Sequence, residues 1–352
     1  MVKFELKQVL SKLCLGATLC LTLGSLTACS LVKEESYTFD PALDSQFSID
    51  ANEVILVTPD MLEREQYQML ITQFTQALGK ENLTHEQKAQ ILYQLGIIYD
   101  RLGLDITARN MFLSALIELP DYAQAYNFLG IYLASAERFA DAYDAYDAVI
   151  ELDPEEKYAY FNRGIALYYG NRAQLSIPDL EKFYSFNHND PFRMAWLYLS
   201  EREALGQDIA RTKLQERLCK VNEEVSWGLE VLEFFAGKLS SEQLIANLKA
   251  ADIDKPELSR RLCEAYFYMA KEAQYQGNYK RAYDLFHLCI ATNVTGYLEY
   301  RYALLEVERF KRQEAVSRAD AKALKQYQER ERFLKDQADK AERDLEALQV
   351  KQ

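Results

Sequence analysis

The chain has 352 residues, more than a single compact core usually organises, yet only 13 glycines, 7 prolines and 2 tryptophans, so few turns are written into it. Apolar residues at 49% and charged residues at 27% argue against both a polytopic membrane protein and a disordered chain. A formal charge of −13 repels phosphate backbones and anionic headgroups alike, so neither nucleic acid nor a membrane surface is a natural partner, and membrane association must come from elsewhere.

The first residues supply it. Lys3, Lys7 and Lys12 precede an apolar run from Leu13 to Leu26, too short at about 14 residues for a transmembrane span of roughly 20. Residues 1–28 therefore read as a signal peptide. The run ends in Leu26-Thr27-Ala28-Cys29, which resembles the lipobox of bacterial lipoproteins, where the cysteine sulfur takes the diacylglycerol. By the same resemblance, Ser30 in place of an aspartate implies sorting to the outer membrane, lipid-anchored with the body facing the periplasm. Removing residues 1–28 takes away three Lys and one Glu and leaves a mature chain formally near −15. Of six cysteines, Cys14 and Cys20 leave with the signal and Cys29 is alkylated. Cys219, Cys263 and Cys289 remain; at most one pair can close, and buried small hydrophobes are the plainer reading for all three.

Residues 29–57 are irregular, with Pro41 and scattered acids, and read as a lipidated tether with a reach of roughly 30 Å. Residues 58–88 carry the first helices. Thr58-Pro59 is a hydroxyl cap with proline at the first helical position, leading through Met69, Leu70 and Phe74 to a stop at Gly79. Thr84-His85-Glu86-Gln87 has capping-box spacing and opens a second helix.

A repeat then appears. Leu95-Gly96, Leu129-Gly130 and Arg163-Gly164 recur every 34 residues, the period of tetratricopeptide repeats. Residues 89–191 hold three units. The first, from Ala89, has Gly96, Tyr99, Ala108, Phe112, Ala115 and Pro120; the second, from Ala123, has Gly130, Ala142, Tyr146 and Pro154. The third, from Lys157, departs after Leu167, with Ser176 for the small alanine and a late Pro191. Residues 192–262 keep a helical pattern without the signature, as irregular pairs that extend or close the array. A degenerate unit at 263–296 retains Tyr266, Ala282 and Phe286. Residues 297–352 read as one long charged helix, whose narrow seam (Leu324, Tyr327, Leu334, Ala338, Ala341, Leu345, Leu348) suits either a coiled coil or a solitary solvated helix. The expected fold is all-α, a tetratricopeptide-repeat solenoid with a long charged C-terminal helix.

No catalytic constellation stands out. His85, His188 and His287 fall one per unit with no Cys or Asp at metal-ligand spacing, so neither a metal, a cofactor nor an enzyme is expected. A tetratricopeptide array instead offers the first helices of its units as a concave face. That face carries Gln90, Tyr93, Ile97 and Asp100, then Gln124, Asn127, Ile131 and Ala134, then Tyr158, Phe161, Ile165 and Tyr168. None is cationic, which disfavours clamping a peptide carboxylate and suits an apolar helix or extended segment, either a partner's or the chain's own C-terminal helix.

Three stretches carry a closer likeness: Asn162-Arg163-Gly164-Ile165-Ala166-Leu167-Tyr168-Tyr169-Gly170, Asn189-Asp190-Pro191-Phe192-Arg193, and Arg301-Tyr302-Ala303-Leu304-Leu305-Glu306. Over roughly 63–305 the chain resembles the NlpI family of proteobacterial outer-membrane lipoproteins. The resemblance implies a homodimer formed partly through the N-terminal helices, acting as an adaptor that docks a periplasmic tail-specific protease and presents a peptidoglycan endopeptidase to it. The longer tether and the charged extension after Phe310 depart from that pattern, and the second departure bears on protease docking near the C-terminal side. A structural lipoprotein subunit of an outer-membrane protein-insertion or secretin and pilus assembly machine is the alternative.

Overall fold

A computed structural model describes residues 48–57, 61–221, 227–317 and 321–349; the lipobox, the Thr58-Pro59 cap and the side chains of Leu324, Ala338, Ala341, Leu345 and Leu348 lie outside them. The described residues are all-helical, with consecutive helices packed in pairs, an arrangement compatible with a helical repeat solenoid. After a short 3-10 turn at Ala51–Glu53, helix α1 spans Met61–Leu78. The pairs α2 (His85–Arg101) with α3 (Asp105–Glu118), α4 (Ala123–Ser135) with α5 (Phe139–Leu152), and α6 (Lys157–Tyr169) with α7 (Ala173–Ser185) follow.

Local chemistry sets these boundaries. Thr84 and Gln87 form the full reciprocal capping box at the start of α2, satisfying two donors that no helical carbonyl reaches. Each helix pair then crosses on one glycine. A methyl group added at Gly96 would stand 2.6 Å from the Phe112 ring, and one at Gly164 would stand 2.7 Å from Leu180; at Gly130 it would overlap the Tyr146 ring. The large residue sixteen positions on occupies the space the glycine leaves, which is why the two recur together. Phe112, Tyr146 and Leu180 are buried in consequence.

After the third pair the arrangement changes. Helix α8 (Pro191–Leu205) starts at Asp190, whose carboxylate accepts from the amides of Phe192 and Arg193, with Pro191 in the first turn. It is buried round nearly its whole circumference, as a core helix must be when elements pack on every side. Helices α9 (Gln207–Leu218) and α10 (Leu229–Phe235) lie against it. Then come α11 (Ser241–Ala250), a long and similarly buried α12 (Lys255–Tyr275), and α13 (Tyr279–Ala291). In α12 and α13, Ala270 and Phe286 repeat the glycine-to-ring spacing with one methyl more, and both are fully buried.

Two expectations are corrected here. The C-terminal segment is not one helix along its described length: α14 (Leu298–Ser317) and α15 (Ala321–Gln349) are separate elements. α14 belongs to the core, burying Tyr302, Ala303, Leu305, Val307 and Phe310 against α12 and α13 and reaching back to α4. Its charged residues make it read as solvated, yet those charges have partners inside the fold. α15 keeps Phe333 and Leu334 exposed and touches α14 and α3.

Within the expected tether, residues 48–57 are held against the helices. Residues 48–57 lie along α11, α12 and α13: the Ser48 amide and hydroxyl donate to Asp284 at 2.8 and 2.7 Å, and the Ile55 amide donates to the Tyr266 hydroxyl at 2.7 Å. The Lys249 ammonium donates to the Asn52 carbonyl, and Glu53, buried, forms an ion pair with Arg281. Burial pushes the Tyr266 hydroxyl up to about 12, so at neutral pH it stays protonated to donate to the Glu53 carbonyl while accepting from Ile55. A segment outside the helix pairs keeps its place only where it is tied down, and this one has several ties.

Candidate protein-binding face

The twelve positions expected to line the face are held on α2, α4 and α6, and each helix is exposed at its first position and more buried further along. At the first position, Gln90, Gln124 and Tyr158 are exposed. At the second, Tyr93, Asn127 and Phe161 are half-buried. At the third, Ile97 and Ile131 are half-buried and Ile165 is fully buried, so Ile165 packs the core and lines no open groove. At the fourth, Asp100 and Ala134 are buried and Tyr168 half-buried.

The cause of the gradient is α14. Its Arg301 guanidinium donates to Asp100 at 2.6 Å, lies 3.6 Å from Asp105 and sits 5.0 Å from the centre of the Tyr132 ring. Tyr132 donates to the same carboxylate at 2.5 Å. Tyr302 stacks on Tyr169 with ring centres 4.3 Å apart and planes 4° from parallel. Arg309 reaches Glu137 at 2.5 Å and the Tyr169 carbonyl at 2.9 Å. Burial lowers the pKa of the Arg301 guanidinium, but Asp100 and Asp105 outweigh it, so the net shift is upward. It stays charged. Lys271 of α12 adds a third cation, 5.1 Å from the Tyr168 ring centre and paired with Glu306 at 2.6 Å.

These cations were missed from sequence. The four helix positions do lack Lys and Arg, but basic side chains arrive from α12 and α14 and occupy the inner half of the face. Arg301 stood within a stretch already singled out; nothing local linked it to Asp100, because the two are 201 residues apart.

Below this layer Trp196 of α8 is a hub. Its ring centre lies 5.6 to 6.4 Å from those of Phe161, Tyr168, Tyr169, Phe267, Tyr268 and Tyr302, so α6, α8, α12 and α14 share one aromatic core. Among expected face residues, Tyr93 and Phe161 also serve packing. Tyr93 meets Phe112, Tyr122 and Phe128, and burial pushes its hydroxyl up to about 12, while Phe161 stacks on Phe183 at 4.3 Å. Asn127 accepts from the Asn162 amide at 3.0 Å, an amide rung between neighbouring units.

What stays accessible is the outer rim: Gln90, Gln124 and Tyr158, 48% exposed, backed by Tyr93 and Asn127. This rim presents amide and aromatic side chains, with the Lys157 ammonium 5.3 Å from the centre of the Tyr158 ring. The histidines lie in separate places, His85 against Glu118, His188 on Tyr184 and His287 on Tyr283. No helix among the described residues is long and apolar enough to cross a membrane. No family model matches the chain.

Proposed function

We propose that this chain is a tetratricopeptide-repeat adaptor of the NlpI type, lipid-anchored through Cys29 to the outer membrane and facing the periplasm, which binds protein partners and has no catalytic role of its own. The observation that carries the reading is the graded face: an amide and aromatic outer rim left open at Gln90, Gln124 and Tyr158, with Lys157 over the Tyr158 ring, on three helix pairs whose crossings recur every 34 residues. A rim of that chemistry on a rigid support suits a protein partner better than a small substrate. By resemblance, the partners are a tail-specific protease and a peptidoglycan endopeptidase, brought together to control the level of the wall enzyme.

The docking of α14 refines the mode of binding. The inner half of the face already holds a helix of the same chain, so a partner engages the outer rim and the edges of the units.

The reading also includes a homodimer. Among its described side chains α1 has none that is buried, and Met69 and Leu70 are exposed at 60% and 37%, a row that a second copy would cover. Substituting Met69→Glu is expected to shift the sedimenting species toward monomer without lowering the unfolding midpoint. Loss of the endopeptidase's turnover in a deletion strain, restored by the anchored chain, tests the function itself; unchanged turnover would refute it.

A further inference from the structure

Cys263 on α12 and Cys289 on α13 are fully buried, and their sulfur atoms lie 3.6 Å apart. Cys219, against expectation, is exposed and stands apart from both. The placement of the pair follows from the repeat. In the first unit the corresponding residues are Ala89 and Ala115, in the second Ala123 and Val149, and each of those pairs packs in a common cluster at 0% to 7% exposure. The same 26-residue separation brings Cys263 and Cys289 to the crossing of α12 and α13. The two side chains that share a cluster in each of the first two units are here both thiols.

We infer that Cys263 and Cys289 are a disulfide site, closing α12 to α13 when an external disulfide acts as oxidant. The sulfurs need to approach by about 1.5 Å to reach a bond length near 2.05 Å. The chemistry balances by thiol–disulfide exchange. One thiolate attacks the external disulfide and releases a first small thiol; the second thiolate then attacks the mixed disulfide, forming the Cys263–Cys289 bond and releasing a second. Two electrons and two protons leave with the two small thiols, and the external disulfide is reduced. Burial and the neighbouring Cys263 hold the Cys289 thiol well above its ordinary range, so exchange proceeds before the two helices close or when they part locally. This inference is independent of where the chain resides, since it names its own oxidant.

The test is to refold the full chain in glutathione disulfide, alkylate under denaturing conditions without reduction, digest, and measure peptide masses. The peptide carrying Cys263 is expected joined to that carrying Cys289, lighter by two hydrogens and separable by reduction, with Cys219 alkylated. Alkylation of both Cys263 and Cys289 before reduction, or a bond from either to Cys219, would overturn the inference. A second readout is the unfolding equilibrium, which on reduction is expected to move toward the unfolded state by roughly 400-fold for a loop of this size. Cys263→Ala, which copies Ala89 and Ala123, is expected to fold and to show no such change; an equal change in that variant would also count against the site.

Discussion

Single residues decide the crossings. Gly130 sits under the Tyr146 ring so closely that any methyl group there would overlap it. Alanine favours a helix over glycine by about 1 kcal/mol, yet overpacking costs typically 1–3 kcal/mol, and a buried ring between two helices has little room to yield. Gly130→Ala is therefore expected to lower stability by about 1–2 kcal/mol in urea unfolding, whereas Gly79→Ala, whose added carbon meets only carbonyl oxygens at 3.6 Å or more, should change little. Titratable residues act at the same scale. Glu264 and Glu299 are buried, and burial, first, then their mutual repulsion raise the Glu264 carboxyl well above its usual range; burial raises Glu299 as well. A carboxyl raised on folding contributes stability that is full below its unfolded value, near 4.3, and lost as pH rises through the folded value. Glu264→Gln keeps an acceptor for the Trp227 indole, which donates to it at 2.6 Å, but removes the charge. The expected result is a higher thermal midpoint than the unaltered chain at pH 8, with the gain shrinking toward pH 4. Glu306 has the opposite sign: burial raises it, but Lys271 and Arg309 overcome burial and hold it low. Its stabilisation is present above the ordinary carboxyl range and fades as pH falls through the lowered value.

Among elements, α14 and the 48–57 strap are the ones whose place rests on distant partners. Both Arg301 and Asp100 are almost fully buried, and removing one member of such a pair strands the other charge at a cost of about 3–5 kcal/mol. Arg301→Ala should therefore destabilise by that order in chemical unfolding. Combining it with Asp100→Asn should recover a large part, as a double-mutant cycle on a coupled pair requires. Glu53→Ala leaves Arg281 without its carboxylate and should release the strap to limited proteolysis near residues 48–57 while the helix pairs stay resistant. These two elements also mark what sequence could and could not tell. The capping box at Thr84, the 34-residue recurrence of glycine and the helical period of α2 to α7 are local signals, and they placed those helices. The strap and α14 are fixed by contacts across 228 and 201 residues, Glu53 with Arg281 and Asp100 with Arg301. Nothing in a window of neighbouring residues carries such a signal, so α14, rich in Arg and Glu, read as a solvated helix and the strap as free tether. The face was read as a set of positions on successive helices, with its occupant left open between a partner and the chain's own helix; Arg301 of α14 and Lys271 of α12 lie against Asp100 and Tyr168 on its inner half.

At the scale of the molecule, the helix pairs form a stack in which one half of the face is covered by α14 and the other half is open. α8 and α12, buried round most of their circumference, and the ring cluster around Trp196 make the support stiff, so a partner of the proposed kind would meet a preformed rim. Anchoring would then serve to hold that rim in one cellular layer. Cys29→Ser should leave folding and partner binding in solution intact while weakening complementation of a deletion strain. The most direct measurement of the central claim is the equilibrium binding of the purified chain to the tail-specific protease of the same cell, made with the unaltered chain, with Tyr158→Glu and with Gln124→Arg. Saturable binding to the unaltered chain, weakened at least about tenfold (1.4 kcal/mol) by each rim variant at unchanged thermal midpoint, is the predicted result. Binding that is absent, or that proceeds equally well with both rim variants, would contradict it.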